Sequence, residues 1–377
     1  MTPNYFSALQ RMMTESAGRV FPAAQLVVRQ HGAVIYSAAV GWADPAERLI
    51  PITASTLFDL ASLTKLFTVT AFMRLVESGA VTIDQPVSSI LPAFSGQRPI
   101  SPYEDPLTPG ALVAVSNDLG MVDAGLVTFR QLLSHSAGLP AWRPLYRQLD
   151  AAAARRMAIE TFFSYRPGQH TIYSDIGLIL LGMVVELLSG LRLDAALAQL
   201  VTQPLDLRGT CFLPVGELCY AQVAPTEFCT WRQRRVTAEV HDENACALGG
   251  IAGHAGLFST AADVARFGQV FLDGGSPLLS AESVAEMTRV QSQEGSTRRG
   301  LGFALWSADP EASGNPFSQQ AFGHTGFTGT SLWIDPQADL VVALLTNEVY
   351  YGRTNRGIMP LRVAVHRAVV ESVKSKQ

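Results

Sequence analysis

Three short segments carry side chains that can cooperate in acyl transfer. Ser62-Leu63-Thr64-Lys65 puts a hydroxyl and an amine three residues apart, which on a helix means one face, one turn apart. A serine hydroxyl is a poor nucleophile until its proton is taken, and a helix N-terminus favours developing negative charge. Tyr173-Ser174-Asp175 precedes an apolar helical run, so the Tyr173 phenol can relay a proton if Lys65 lowers its pKa. Gly323-His324-Thr325-Gly326-Phe327-Thr328-Gly329 leads into the strand pattern Thr330–Ile334, with glycines that permit close approach of backbone to ligand. An acyl-transfer site needs two backbone N–H donors for the carbonyl oxygen, and the amides of Ser62 and Phe327 are the candidates. Taken singly, each segment is ordinary: a capped helix with a lysine, a half-buried tyrosine before a helix cap, a glycine bulge.

The elements that must position these groups are legible in the apolar spacing. Leu66, Val69, Phe72, Met73 and Val76 recur at helical spacing and Gly79 follows, predicting a helix from Leu63 to Ser78 with Ser62 at its start. An amphipathic helix is expected from Pro3 to about Ser16, capped by Thr2. Gln25–Arg29 and Ala33–Val40 flank Gln30-His31-Gly32 as a hairpin. Helical or loop patterns fill the middle, including Thr128–Ser134, Ala151–Phe163 and Ile176–Ser189. Strands are expected at Gly302–Trp306, Gly329–Ile334 and Leu340–Thr346, followed by a closing helix from about Met359 to Val373. Strands at both ends with helices between predict one α/β (α+β) domain. Its α/β part comprises about residues 1–80 and 248–377, and a mainly helical subdomain of about 81–247 is inserted within it, with the site between the two.

Composition narrows the function classes. The chain has 377 residues, 48% hydrophobic and 16% charged, with a formal net charge of −4, enough apolar material for a large core and no basic excess for nucleic acid or anionic lipid. No run approaches the length of a membrane span, and Met1–Arg19 lacks the contiguous apolar stretch of a secretory signal, so the expected location is the cytoplasm. Cys211, Cys219, Cys229 and Cys246 form no C-x-x-C pair and are expected to be free thiols rather than zinc ligands.

In their order along the chain, the three segments resemble the signature of the serine β-lactamase and penicillin-binding protein superfamily, which couples S-x-x-K with a middle S/Y-x-N and a K-T-G. Phe58–Lys65, Leu132–Pro140 and Gly253–Thr260 are similar to its class C β-lactamase-related branch, which includes esterases, D-amino-acid peptidases and acyltransferases. The resemblance implies a β-lactamase/transpeptidase-like fold, an antiparallel sheet flanked by helices. It also implies Ser62 as nucleophile, Lys65 and Tyr173 as the general-base pair, the Phe327 N–H in the oxyanion hole, and no metal or other cofactor. Val240–Ala245 also resembles that branch and is expected to be a hydrogen-bonded structural loop rather than a metal site.

Two departures bear on the substrate. Asp175 stands where β-lactamases have Asn, and an ionised carboxylate only accepts hydrogen bonds. His324 stands where many have Lys, and a histidine of ordinary pKa is mostly neutral at pH 7. With Asp175, His324, Thr325 and Gly326 as substrate-binding candidates, these changes predict a carboxylesterase-type acyl hydrolase acting on neutral or hydrophobic esters. If Asp175 approaches Lys65, it holds the amine protonated and leaves Tyr173 as proton acceptor.

The alternatives are a β-lactamase or D-Ala-D-Ala carboxypeptidase, disfavoured by the lack of an export signal, acyl transfer to a small acceptor, and a non-catalytic binding or scaffold protein. The expected partner is a small ester, amide or lactam. Aromatic surface for it is expected from Trp142, Tyr146, Phe228 and Trp231.

Overall fold

The computed structural model describes residues 6–108, 110–117, 119–213, 223–354 and 357–375. An eight-stranded antiparallel sheet dominates it. Its strands are β1 (Ala23–Gln30), β2 (Ala33–Gly41), β3 (Ser292–Glu294), β4 (Thr297–Arg299), β5 (Ala304–Leu305), β6 (Phe322–Thr325), β7 (Ser331–Asp335) and β8 (Leu340–Thr346). Their spatial order is β3-β4-β5-β6-β7-β8-β1-β2, so chain ends far apart in sequence meet where β8 pairs with β1. Every residue of β8 is buried, because this central strand is covered on both faces, and its sequence Leu-Val-Val-Ala-Leu-Leu-Thr reads as a continuous apolar run.

Five helices fix the sheet and the site: α1 (Ser7–Ser16), α2 (Thr64–Glu77), α3 (Asp175–Ser189), α4 (Ala261–Leu272) and α5 (Ile358–Lys374). Helices α1 and α5 cover one sheet face through Leu9, Met13, Val365 and Val369, packed with Leu26, Val342 and Leu344. On the other face α4 lies so close that a Cβ on Gly268 would sit 2.7 Å from Val341. Phe67 of α2 stacks on Phe267 of α4 with ring centroids 4.1 Å apart. Helix α2 is buried at every position from Thr64 to Met73, so it is enclosed on all sides rather than along one stripe. Each such buried Leu or Phe contributes about 1.5–3 kcal/mol, so the helix that starts beside Ser62 is among the most firmly held pieces of the molecule.

Elements with strong apolar periodicity lie close to their expected bounds. Thr2 and Pro3, assigned to the cap of the first helix, and Cys219 lie outside the described residues. Cys211, Cys229 and Cys246 are free thiols. The Gly302–Trp306 strand shrinks to Ala304–Leu305, and Phe322–Thr325 is itself a strand rather than a glycine-rich approach to one. The hairpin β3–β4, Ser292–Arg299, has no counterpart in the apolar pattern because it is a polar edge hairpin. Among the described residues, none of 81–247 gives a strand to the large sheet.

Candidate active site

The turn bearing Ser62 is held in an unfavourable backbone conformation. Ala61 has φ +46°, a left-handed value that costs a non-glycine residue about 1 kcal/mol or more. Asp59 accepts the Ala61 N–H at 2.8 Å, while Thr328 and Thr330 donate their hydroxyls to the carbonyls of Asp59 and Leu60 at 2.8 and 3.0 Å. Gly326 lies directly against this turn: a Cβ there would be 2.6 Å from the Leu60 carbonyl oxygen and 3.3 Å from the Ala61 Cβ. Its glycine therefore serves the approach of backbone to backbone, not of backbone to ligand. Two threonines and one glycine thus fasten the Phe327 loop beside Ser62, the middle residue of a 3-10 turn (Ala61–Leu63) that runs into α2. Among the described residues, neither the Ser62 nor the Phe327 amide has an acceptor.

Lys65 is completely buried. It donates to Ser62 Oγ at 2.9 Å and to the His254 carbonyl at 2.9 Å, and its Nζ forms an ion pair with Asp175 Oδ1 at 2.8 Å. Burial opposes its charge, but the Asp175 carboxylate and the Tyr173 oxygen together outweigh that and hold the ammonium above the ordinary lysine range. Asp175 opens α3, and its position is set locally. Its N–H donates to Ala141 O at 2.9 Å. The neighbouring Ser174 donates its hydroxyl to Pro140 O at 2.6 Å and its N–H to His135 Nδ1 at 3.1 Å. The segment Leu132–Pro140, conspicuous in the sequence, is thus the cradle that aims Tyr173 and Asp175.

The Tyr173 ring centre is 5.0 Å from Lys65 Nζ. From its place in the sequence, Lys65 is expected to lower the phenol pKa. Here burial outweighs that attraction and raises it, so Tyr173 is a neutral phenol facing an ammonium. His324 lies 5.7 Å from the same ring, buried and donating Nδ1–H to Thr325 O at 2.7 Å. Burial, with Arg299 and Lys65 nearby, pushes its pKa down to about 3, so it is neutral as its residue type suggests.

Several residues with no sequence signal shape the site. Arg362, buried on α5, donates to the carbonyls of Gly326 at 2.9 Å and Thr330 at 3.0 Å and so braces the Phe327 loop. Arg299 of β4 lies over the Tyr173 ring at 5.4 Å. The Val240–Ala245 segment is a hydrogen-bonded turn only as far as Asp242, which caps a short helix, Glu243–Ala247. His241 donates its N–H to Asp59 at 2.6 Å, contacts Glu227 through Nε2 at 3.0 Å and stacks on Phe327 at 5.6 Å. Asp175, Asp242 and His254 present ligand atoms within 4.8 Å of one another. A metal there fits poorly, because the Lys65 ammonium already neutralises Asp175 and would repel a second cation. Trp142, Tyr146 and Trp231 form a continuous aromatic surface, with centroids 6.2 and 5.3 Å apart, while Phe228 is exposed.

A sheet with helices on both faces, and a serine–lysine–tyrosine cluster beside a backbone-lined loop, define a serine hydrolase. The chain belongs to the Beta-lactamase family, which it matches over residues 9–364. It is 33% identical to an N-acetylmuramyl-L-alanine amidase of Bacillus subtilis (strain 168), over 90% of this chain and 80% of the relative. It is 30% identical to a putative D-alanyl-D-alanine carboxypeptidase of Escherichia coli (strain K12), over 90% and 81%. Its fold is similar to that of EstCE1, a hydrolase with promiscuous acyltransferase activity. That match has a TM-score of 0.73 and 23% identity and covers 97% of this chain and 98% of the other.

Proposed function

We propose that this enzyme acylates Ser62 and cleaves amide bonds, with Tyr173 as the proton carrier. The observation that carries the proposal is the Lys65–Asp175 ion pair at 2.8 Å: a carboxylate that close favours the ammonium, which donates to Ser62 Oγ and the His254 carbonyl and has no lone pair with which to act as base. Ser62 Oγ attacks the substrate carbonyl while its proton passes to the Tyr173 oxygen, and the proton already on Tyr173 passes to the leaving nitrogen as the C–N bond breaks. An amine needs that proton far more than an aryl alkoxide does, so a protonated phenol suits an amide. The Ser62 and Phe327 N–H groups stabilise the oxyanion, and the Lys65 ammonium stabilises charge on Ser62 Oγ. Water then attacks the acyl ester, its proton passing to Tyr173 and the Tyr173 proton to Ser62 Oγ, which restores the site.

Relatives named as an amidase and as carboxypeptidases support the amide reading. The aromatic surface and the exposed Phe327 support a second one, hydrolysis of hydrophobic esters. The test compares an acyl-D-Ala-D-Ala peptide, a muramyl-L-alanine amide, a short-chain aryl ester and a chromogenic cephalosporin, with Ser62→Ala as control. Turnover of an amide that disappears in the control is the expected result. Turnover of the aryl ester alone transfers the assignment to an esterase, and equal rates in the control remove the mechanism.

A further inference from the structure

The Phe327 N–H lies in the same rigid peptide plane as the Gly326 carbonyl. That carbonyl is held, because Arg362 donates to it at 2.9 Å and the Gly329 N–H at 3.1 Å. A plane pinned at its oxygen can still tilt, and its other end is the Phe327 Cα, whose side chain is 45% exposed and gains little from burial. What that ring touches is specific. The His241 imidazole stacks on it with centroids 5.6 Å and planes 24° apart, and the Arg353 guanidinium carbon lies 5.8 Å from its centre. One carboxylate holds both neighbours: Glu227 accepts from Arg353 at 2.7 and 2.9 Å and lies 3.0 Å from His241 Nε2. Burial opposes the Glu227 charge, yet His241 and Arg353 pull its carboxyl down to about 2, so it is ionised at neutral pH.

The main chain of His241 is tied to the Ser62 side of the site. Its N–H donates to Asp59 Oδ2 at 2.6 Å, while Asp59 Oδ1 accepts the Ala61 N–H at 2.8 Å in the turn that carries Ser62. One buried carboxylate therefore sets both the strained turn of the first oxyanion donor and the residue on which the second donor's ring rests. We infer that His241 is a positioning residue for the oxyanion hole: anchored by Asp59 and Glu227, its ring fixes the tilt of the Gly326–Phe327 peptide and keeps the Phe327 N–H aimed at the same point as the Ser62 N–H. Arg353, on the segment that follows β8, supports the same ring. The Val240–Ala245 segment, marked by its sequence yet without a group in the acyl transfer itself, thereby acquires a task in the reaction. Hydrogen bonds weaken steeply as distance and angle depart from ideal, so a small tilt of this plane costs the oxyanion one of its two donors. A single exposed ring contact adds little to the stability of a chain of this size, whereas loss of one oxyanion donor costs about 10²–10³-fold in kcat. The larger consequence of the stack falls on the reaction.

The inference rests on the reading that Ser62 is acylated with the Phe327 amide as an oxyanion donor, so the test couples a rate to an affinity. The rate is measured on whichever of the short-chain aryl ester and the acyl-D-Ala-D-Ala peptide the wild type turns over faster. The affinity is that of an aryl boronic acid, which bonds to Ser62 Oγ as a tetrahedral adduct with a B–O group in the place of the oxyanion. His241→Ala is expected to lower kcat about tenfold to a hundredfold with KM within about twofold, and to weaken the boronate by a similar factor, because the contact serves the tetrahedral state alone. His241→Phe keeps a ring for Phe327 while giving up Glu227, and should recover part of both losses. Arg353→Ala, at a partly exposed side chain, should show a smaller paired loss and keeps the test decisive if His241→Ala does not fold. Partial unfolding lowers kcat through the active fraction but leaves the boronate affinity of the remaining enzyme unchanged. A rate loss without an affinity loss therefore makes His241 a structural support and overturns the inference, as does an unchanged kcat or a His241→Phe no better than His241→Ala. If the boronate binds wild type and Ser62→Ala alike, the acylation reading itself falls and takes this inference with it.

Discussion

Two buried charged networks flank Ser62, and they differ in how completely their hydrogen bonds are satisfied. Around Asp59, Glu227, His241 and Arg353 nearly everything is paired. Asp59 accepts from the N–H groups of Ala61 and His241, and Glu227 accepts from Arg353 at 2.7 and 2.9 Å and contacts His241. Around Tyr173 the reverse holds: the Tyr173 hydroxyl, Arg299 Nε, His135 Nε2 and His324 Nε2 are buried without partners. A saturated polar network rigidifies a structure, whereas buried groups left open within one small volume mark where something else is to bind. The first network is scaffolding for the Ser62 turn and the Phe327 loop, and the second is the reaction space.

That contrast breaks most sharply at Tyr173. Tyr173→Phe removes a hydroxyl that faces Lys65 and Ser62 without a well-aligned hydrogen bond to either, so kcat should fall about 10²–10⁴-fold while the melting temperature changes little, as read by steady-state kinetics and calorimetry. Asp59→Ala should do the opposite in kind. Two buried N–H groups lose their acceptor, costing about 2–4 kcal/mol in denaturant unfolding, with activity lost through release of the strained Ala61 turn. A variant of Asp59 that loses activity without losing stability would erase the distinction.

Asp175→Asn sharpens the comparison through pH. Asp175 raises the Lys65 pKa, so its removal should let the amine lose its proton earlier, and the alkaline limb of the pH–rate profile should move to lower pH. An unmoved limb would mean that the 2.8 Å ion pair does not set the protonation of Lys65. The smallest effect belongs to Glu227, whose carboxyl is held down to about 2 against burial by His241 and Arg353. A depressed carboxylate stabilises the fold above its unfolded pKa of about 4.3 and loses that contribution as pH falls towards 2. Glu227→Gln should therefore unfold at lower temperature than wild type at pH 7, and the gap should narrow between pH 4.5 and 2.

Much of the reaction space was legible in the sequence because its chemistry sits on short, ordered pieces. Ser62 and Lys65 share one helical turn, and Tyr173 and Asp175 stand at a helix start, as their spacing indicates. The scaffolding was harder to see. Asp59, Glu227 and Arg362 act through contacts between residues tens to hundreds of positions apart, which no local pattern encodes. Arg299 escaped because β3–β4 is a polar edge hairpin without apolar alternation, and because one arginine among several carries no signal until its neighbours are known.

The central claim is an acyl group carried by Ser62. Intact-mass analysis and peptide mapping after rapid quenching with an aryl ester or an acyl-D-Ala-D-Ala peptide test it directly. The account predicts one added acyl mass, located on the peptide containing Ser62 and absent from Ser62→Ala, accumulating in wild type when release by water is slowed. Acylation of any other residue, or an equal adduct on Ser62→Ala, would contradict it.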